Sequence, residues 1–427
     1  MSFSQALSGL NAQREKLGAI GNNIANSQTV GFKSSEVQFA DVFAQSRIGL
    51  GTKVSTTLQN FNQGNIESSG RNMDLAIAGD GFFRFQQPSG EVGYSRNGQL
   101  TLTADGNLVN AQGAKIMGYS ADANGEVQPG GDVEALTVDS SGLEASATTG
   151  LDISLNLDAG EGKLKPTFTA QDIANGLDPS EYSFSTNATV YDSQGSARNL
   201  TTYFTKTDPN KWRVDARMSG GPEGAPTYAF SDIADGQDFD FTTDGRLNPD
   251  FEPFAIDLDS PQAVIDPDGN TATSEFGDTL TSQQIEVDFA GTSQYANGST
   301  VNDISQNGYT SGSLVGTTIQ DDGTIMRNYS NEESRAAGQI ALADFRNPEG
   351  LKPEGDNLWS ATGASGQELV GVPGSGQRGL IEPGAVETSN VDMAQELVDM
   401  IVSQRAYQAN SNTISTQDEL LQTIINL

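Results

Sequence analysis

The sequence predicts a mostly β fold with α-helical termini, in which the N- and C-terminal helices pair as a coiled-coil-like rod domain around nested β domains with an inserted outer β domain. Three observations lead there. Apolar residues recur at every seventh position at both ends of the chain. Asp-Gly and Asn-Gly pairs punctuate almost everything between those ends. Composition then shifts over residues 145–290, which are rich in Asp, Thr and Ser.

The C-terminal segment "SNVDMAQELVDMIVSQRAYQANSNTISTQDELLQTIINL" contains neither Gly nor Pro, and Ser389 or Asn390 is a candidate N-cap with Asp392 behind it. Met393, Met400, Tyr407, Ile414 and Leu421 form one apolar row. The companion row, Leu397, Gln404, Ser411, Asp418 and Ile425, is apolar only at its ends. A self-sufficient coiled coil needs both rows apolar, so this helix is expected to need another surface to complete it. At the other end, Phe3, Leu10, Leu17 and Ile24 repeat at the same spacing, Ala6, Gln13 and Ile20 make a second row, and Leu7 widens the stripe. Gly9, Gly18 and Gly21 each cost such a helix roughly 1 kcal/mol against Ala. Isolated helices owe most of their stability to packing. The two ends therefore either pair within one chain or order against neighbouring copies.

Between the helices, pairs such as Asp80-Gly81, Asn97-Gly98, Asp105-Gly106, Asp244-Gly245, Asn297-Gly298, Asn307-Gly308 and Asp322-Gly323 mark tight turns between short strands. In "NLTTYFTKTDPNKWRVDARM", Leu200, Thr202 and Phe204 alternate, Asp208-Pro209-Asn210 turns, and Trp212, Val214, Ala216 and Met218 alternate again. That is a hairpin with one buried face. The organisation expected is a helical assembly domain from 1–30 and 386–427, an extended connector over 31–71, a discontinuous middle β domain from 72–144 and 291–385, and an inserted outer β domain over 145–290.

Composition excludes several chemistries. The 427 residues include no Cys and no His, which removes disulfides, Cys/His zinc sites and imidazole triads. A net charge of −33 repels nucleic acid and anionic lipid, so neither is an expected partner. No apolar run is long enough for membrane insertion, and the N-terminus has no basic and apolar signal pattern, so a cleaved secretion signal is not expected. The turn "DPDGNTATSEFG" begins like a calcium loop but lacks Gly at its sixth position and Glu at its twelfth, which favours a plain turn. No cofactor, metal or catalytic residue is expected, and the chain is not read as an enzyme.

"LSGLNAQREKLGAIGNNIANSQTVGFKSS", centred on Asn23, Asn26, Gly31, Phe32 and Lys33, resembles the N-terminal signature of the bacterial flagellar rod and hook family of axial proteins. "MDLAIAGDGFF" and "YSRNGQLTLTADGNLVNAQGAKIMGY" are similar to the shared β domain of that family. The C-terminal helix is similar too, most tellingly over Gln404, Arg405, Ala406, Tyr407, Gln408, Ala409 and Asn410. "ATVYDSQGSARNLTTYFTKTDPNKWRV" resembles the outer domain of its hook members, whereas a distal rod member, the nearest alternative, lacks so large an insertion.

The resemblance implies a self-assembling subunit of a curved, flexible tube that acts as a universal joint and passes torque from rod to filament. It implies a helical homopolymer as the main partner. Distal rod, hook cap and hook–filament junction proteins and the flagellar export apparatus are the others. The implied location is the extracellular part of the flagellum, reached by signal-free type III export. Two other classes fit less well. A β-sandwich adhesin leaves the heptad rows unexplained, and a two-carboxylate glycosidase needs a cleft that no motif marks.

Overall fold

The computed structural model describes residues 3–42, 50–122, 124–221, 224–233, 239–258, 261–266, 268–272 and 283–425. Among the described residues there are three α-helices: α1, Phe3–Ala25; α2, Ala170–Asn175; and α3, Met393–Ile425. The remaining described elements are short strands and one 3-10 turn, so the fold is mostly β with helical ends. The chain divides into two compact units. One comprises Met1–Ser140, Val315–Asn328 and Ser334–Leu427, and the other Ser141–Leu314 with Tyr329–Glu333.

In the first unit, strands from both flanks of the insertion interleave. Lys115–Ser120 pairs antiparallel with Phe82–Gln86 on one side and with Ser334–Ile340 on the other. Phe82–Gln86 also pairs with Val92–Ser95 and with Leu342–Asp344. Neither flank alone supplies the core, because Leu75, Ile77, Phe83, Phe85 and Ile116 pack with Ile325, Ile340, Leu342 and Ile381. Alternation explains this: in "DLAIA" and "FFRFQ" the large apolar side chains turn inward, and both strands are almost wholly buried. A smaller aromatic cluster joins Phe61, Phe82, Tyr94, Phe345 and Trp359, with Phe61 and Trp359 edge-to-face at 5.4 Å.

The second unit contains the hairpin anticipated from its pattern. Ala197–Asp208 and Lys211–Ser219 pair antiparallel around Pro209 and Asn210, the latter at φ 61°, and Phe204 lies opposite Val214. Leu200, Phe204, Trp212, Val214 and Met218 face a core shared with Leu151, Ile153, Leu155 and Leu157 of strand Gly150–Asp158. Trp212 donates its indole N–H to Gln294 Oε1 at 2.8 Å, which satisfies the polar atom of a buried ring. Helix α2 has a reciprocal cap: Thr169 Oγ1 accepts from the Asp172 N–H, and the Asp172 carboxylate accepts from the Thr169 N–H.

Two organisational expectations differ from the structure. The insertion runs past 290, because Ser293–Tyr295 and Thr300–Gln306 both pair with Gly150–Asp158 and bring residues 291–314 into the second unit. The segment expected as a connector over 31–71 builds an antiparallel hairpin instead, β1 (Ser35–Val42) with β2 (Gly51–Gln59). The cause is local: Val37 is buried, both strands pack on α1, and their ladder satisfies backbone groups that an isolated strap leaves to water. Turn chemistry is also only partly as expected. Gly106, Gly245 and Gly323 have positive φ, but Gly98 lies in a strand, where a side chain would strike the Phe83 ring.

The aromatic centre of the second unit, Phe204, Phe239 and Phe289, is fully enclosed, with Phe239 and Phe289 5.1 Å apart. Phe239→Ala should therefore lower the stability of this unit by about 3–5 kcal/mol. The chain has two Trp residues, Trp212 and Trp359, one in each unit. Urea titration followed by Trp212 fluorescence in a Trp359→Phe background reads the second unit alone.

Candidate assembly surface

The two terminal helices run antiparallel, as two contacts establish. Gly9 of α1 meets Asn410 of α3 so closely that an added Cβ would lie 2.9 Å from Asn410 Nδ2. Fourteen residues further along α1, Asn23 Nδ2 donates to Glu396 Oε1 at 2.8 Å, fourteen residues back along α3. The row of α3 turned toward α1 is thus Glu396, Ser403, Asn410 and Gln417, spaced by seven and entirely polar. Ser403 is buried, with no partner for its Oγ.

Two apolar clusters stay open on α3: Met393, Leu397, Val398, Ile401 and Val402 in its first turns and Leu420 and Leu421 near its end are 43–58% exposed. Between them the exposed side chains are mostly polar, Gln408, Asn412, Thr416 and Glu419 among them. Met400, Tyr407 and Ile414 are half-buried along the flank of the seam, Gln404 and Arg405 are exposed, and the side chain of Ile425 lies outside the described residues. On α1, Ile20 is buried, Leu10, Leu17 and Ile24 are half-buried, and Phe3 and Leu7 are exposed at 52% and 42%. The fold therefore gathers Ile20 into the intramolecular seam and leaves Phe3, Leu7, Met393, Leu397 and Leu421 at the surface. Val398, Ile401, Val402 and Leu420 were not singled out from sequence. The cluster "LVDMIV" encircles its helix and is legible only when every face is read, not just a heptad seam.

The roots of both helices are fixed by polar groups. Asn23, 1% exposed, also donates to the Ser35 carbonyl and accepts from the Ser35 N–H, tying the end of α1 to the start of β1 and to the first turn of α3. Asn26 folds back on Asn22 and accepts from Thr29 Oγ1. Gly31, at φ 71°, sits where a Cβ would be 2.6 Å from the Asn97 nitrogen, and it donates to the Glu387 carbonyl. Phe32 next to it is half-buried. Helix α3 is capped by Asp392, whose carboxylate accepts from the N–H groups of Ala394 and Gln395. The two cap candidates serve elsewhere: Asn390 accepts from the Ser34 N–H, and Ser389 Oγ accepts from the Val391 N–H.

Beneath these roots lies a buried ionic cluster. Lys33 Nζ is 2.5 Å from Glu387 Oε1, with neither side chain exposed, and Arg96 Nη1 is 3.5 Å from Glu387 Oε2. Lys33 also donates to the Asn62 carbonyl, and the Gly64 N–H donates to Glu387. Burial pulls the Lys33 ammonium and the Arg96 guanidinium below their ordinary ranges, and the Glu387 carboxylate opposes both shifts. Lys33 was visible in the motif, but nothing local to it pointed to a partner 354 positions away. Among the described residues, no group of three or more Asp, Glu, His or Cys could hold a metal ion. The described part of the Asp266 turn is closed by its own bonds, Asn270 N–H to Asp266 Oδ1 at 2.7 Å among them.

Glu387→Gln removes the one carboxylate between two buried cations and should cost about 3–5 kcal/mol. Lys33→Met leaves the Arg96–Glu387 pair in place and should cost less. Denaturant unfolding followed by Trp359 fluorescence checks that order.

Comparison with known proteins matches this arrangement in sequence order. Four family profiles fit: "Flagella basal body rod protein" over residues 4–33, "Flagellar hook protein FlgE/F/G D1 domain" over 76–144, "Flagellar basal body protein FlaE D2 domain" over 156–309, and "Flagellar basal body rod FlgEFG protein C-terminal" over 382–427. The chain is 41% identical to the flagellar hook protein FlgE of Salmonella typhimurium and to that of Escherichia coli K12, covering 100% of both chains in each comparison. It is 31% identical to FlgE of Borreliella burgdorferi over 100% of this chain and 99% of the relative. Among solved structures, the crystal structure of Helicobacter pylori flagellar hook protein FlgE2 superposes with a TM-score of 0.52. That match has 14% identity and covers 75% of this chain and 100% of the other, a likeness of fold.

Proposed function

The chain belongs to the flagellar hook protein family, and from that premise we propose that it assembles with copies of itself through the outward face of α3 into the tube of the hook. The hook role follows from the full-length match to hook proteins. The observation that carries the mode of assembly is the open apolar start of α3: Met393, Leu397, Val398, Ile401 and Val402 stay exposed although α1 packs along the helix. Burying a side chain of this kind stabilises by about 1.5–3 kcal/mol relative to leaving it exposed, and the gain recurs in every subunit. Phe3 and Leu7 of α1 join this inner, fixed layer, together with Leu10, Leu17, Ile24, Tyr407, Ile414 and Leu421 along the helix flanks.

The β units suit a layer that must exchange contacts as the tube bends. Their cores are closed, and polar surfaces make weak, replaceable contacts. In this reading the helices form the channel wall and torque passes through the fixed layer from rod to filament. The polymer meets distal rod proteins at one end and cap or junction proteins at the other. Subunits arrive through the flagellar export apparatus to a site outside the cell.

Electron microscopy of concentrated purified protein should show helical tubes. Leu397→Asp should leave the β cores folded and abolish tubes, because every subunit would bury an unpaired carboxylate at several kcal/mol. Normal polymerisation by this variant would remove α3 from the interface.

Charge sets a second expectation. With −33 per chain, packed copies repel one another, and the repulsion reaches about 30 Å at roughly 0.01 M salt but about 8 Å at roughly 0.15 M. Polymerisation should speed up, and its critical concentration fall, as chloride rises over that range. Light scattering across a salt series measures both, and weaker assembly at higher chloride would mean that attractive ion pairs dominate the contacts.

A further inference from the structure

We propose that Asn297 is a site of spontaneous covalent modification, converting in the folded protein to aspartate and isoaspartate through a cyclic imide with Gly298. The inference is independent of the assembly reading. Asn-Gly pairs are chemically prone to this reaction because glycine offers no side chain to hinder its own backbone nitrogen. The sequence contains five of them, at Asn97, Asn124, Asn175, Asn297 and Asn307. Their structures differ in the two things the reaction needs, a free side-chain amide and a free following N–H.

Four pairs are held. Asn97 Oδ1 accepts from the Gln99 N–H, and Gly98 is buried in a strand paired with Asp74–Ala78. The Gly125 N–H is committed to the Asp122 carbonyl within a turn. Gly176 closes α2, with its N–H shared between the Asp172 and Ile173 carbonyls. Asn307 Oδ1 accepts from the N–H groups of Thr149 and Gly150, its Nδ2 donates to Thr149 Oγ1, and the Gly308 N–H donates to Gln306 Oε1.

Asn297-Gly298 is the exception. Both residues are exposed, in the loop between Ser293–Tyr295 and Thr300–Gln306. The loop is pinned by the backbone of Asn297, whose N–H donates to the Tyr295 carbonyl and whose carbonyl accepts from Asn156 Nδ2. It is pinned again at Ser299, whose Oγ accepts from the Asp158 N–H. Among the described residues, neither the Asn297 side chain nor the Gly298 N–H has a hydrogen-bond partner, and a Cβ built on Gly298 meets nothing within 4 Å. The reactive pair is thus the one free span between two anchors.

The chemistry needs only water. The deprotonated Gly298 nitrogen attacks Asn297 Cγ, a new N–Cγ bond forms, the Cγ–Nδ2 bond breaks, and Nδ2 takes a proton from water and departs as ammonia. Water then opens the imide at one of its two carbonyls. Cleavage of the N–Cγ bond gives aspartate. Cleavage of the bond between that nitrogen and the original Asn297 carbonyl carbon gives isoaspartate, with the chain rerouted through Cβ. Either product places a new carboxylate on the loop.

The test incubates the native full-length chain at mildly alkaline pH and follows each Asn-Gly peptide by mass spectrometry, with a urea-unfolded sample alongside. The four held pairs react only through local opening, so Asn297 should convert about tenfold faster than any of them or more, as an opening constant of about one-tenth imposes. The product should appear as two isomeric peptides, and urea should bring all five pairs to similar rates. Gly298→Val should suppress conversion at Asn297 without touching the others. Conversion of a held pair at the Asn297 rate in the native chain overturns the proposal, as does an Asn297 that stays intact when native but reacts in urea.

Discussion

The structure depends on one mismatch: α3 is longer than α1 and sets a row of polar residues at the centre of their contact. A helix of 33 residues against one of 23 cannot be covered along its length by that partner alone. The row that meets α1 most closely, Glu396, Ser403, Asn410 and Gln417, contains no apolar residue. The apolar surplus is left facing outward, which a soluble monomer has no use for and a polymer does. Close approach at Gly9 and the Asn23–Glu396 bond set the register of this polar seam.

Such a seam is weak on its own, and the fold compensates at the roots of the helices. Asn23 links α1, β1 and α3 through one side chain, and Asn390 links the segment before α3 to Ser34, Asn60 and Asn62. Glu387, reached from the C-terminal side, is clasped by Lys33 from the N-terminal side and Arg96 from the β core. Buried charges of this kind add little net stability, yet losing one member is costly, so they fix geometry more than they add energy. Both helices consequently leave the β core from one base of buried polar contacts.

Much of this was legible in the sequence because it is written in short-range patterns. The alternation on either side of Asp208-Pro209-Asn210 located the hairpin, although Asp208 proves to pair with Lys211 in the strand, and seven-residue spacing located both terminal helices. The composition shift found the insertion but not its end, since strands Ser293–Tyr295 and Thr300–Gln306 join it by pairing with Gly150–Asp158, a choice set by register over long separations. The hairpin of β1 and β2 was missed because its strands are largely exposed and its stability comes from packing on α1. Lys33 stood in a recognised motif, but a buried ion pair between the two ends of a chain leaves no periodic trace. The terminal rows were legible as apolar rows, whereas which row meets α1 was decided by Gly9 and Asn410, a small residue and a polar one.

In the proposed assembly, the exposed apolar residues of α3 are covered by other copies of the chain. Amide hydrogen exchange measured peptide by peptide over residues 393–425, in dilute monomer and in assembled tubes, tests it most directly. Fast exchange along α3 is expected in the monomer, where one seam holds it, and strong protection after assembly. The β cores should exchange alike in both states. Equal protection of α3 in monomer and tube would remove it from the interface, because its exposed apolar residues would then have gained nothing from neighbouring copies.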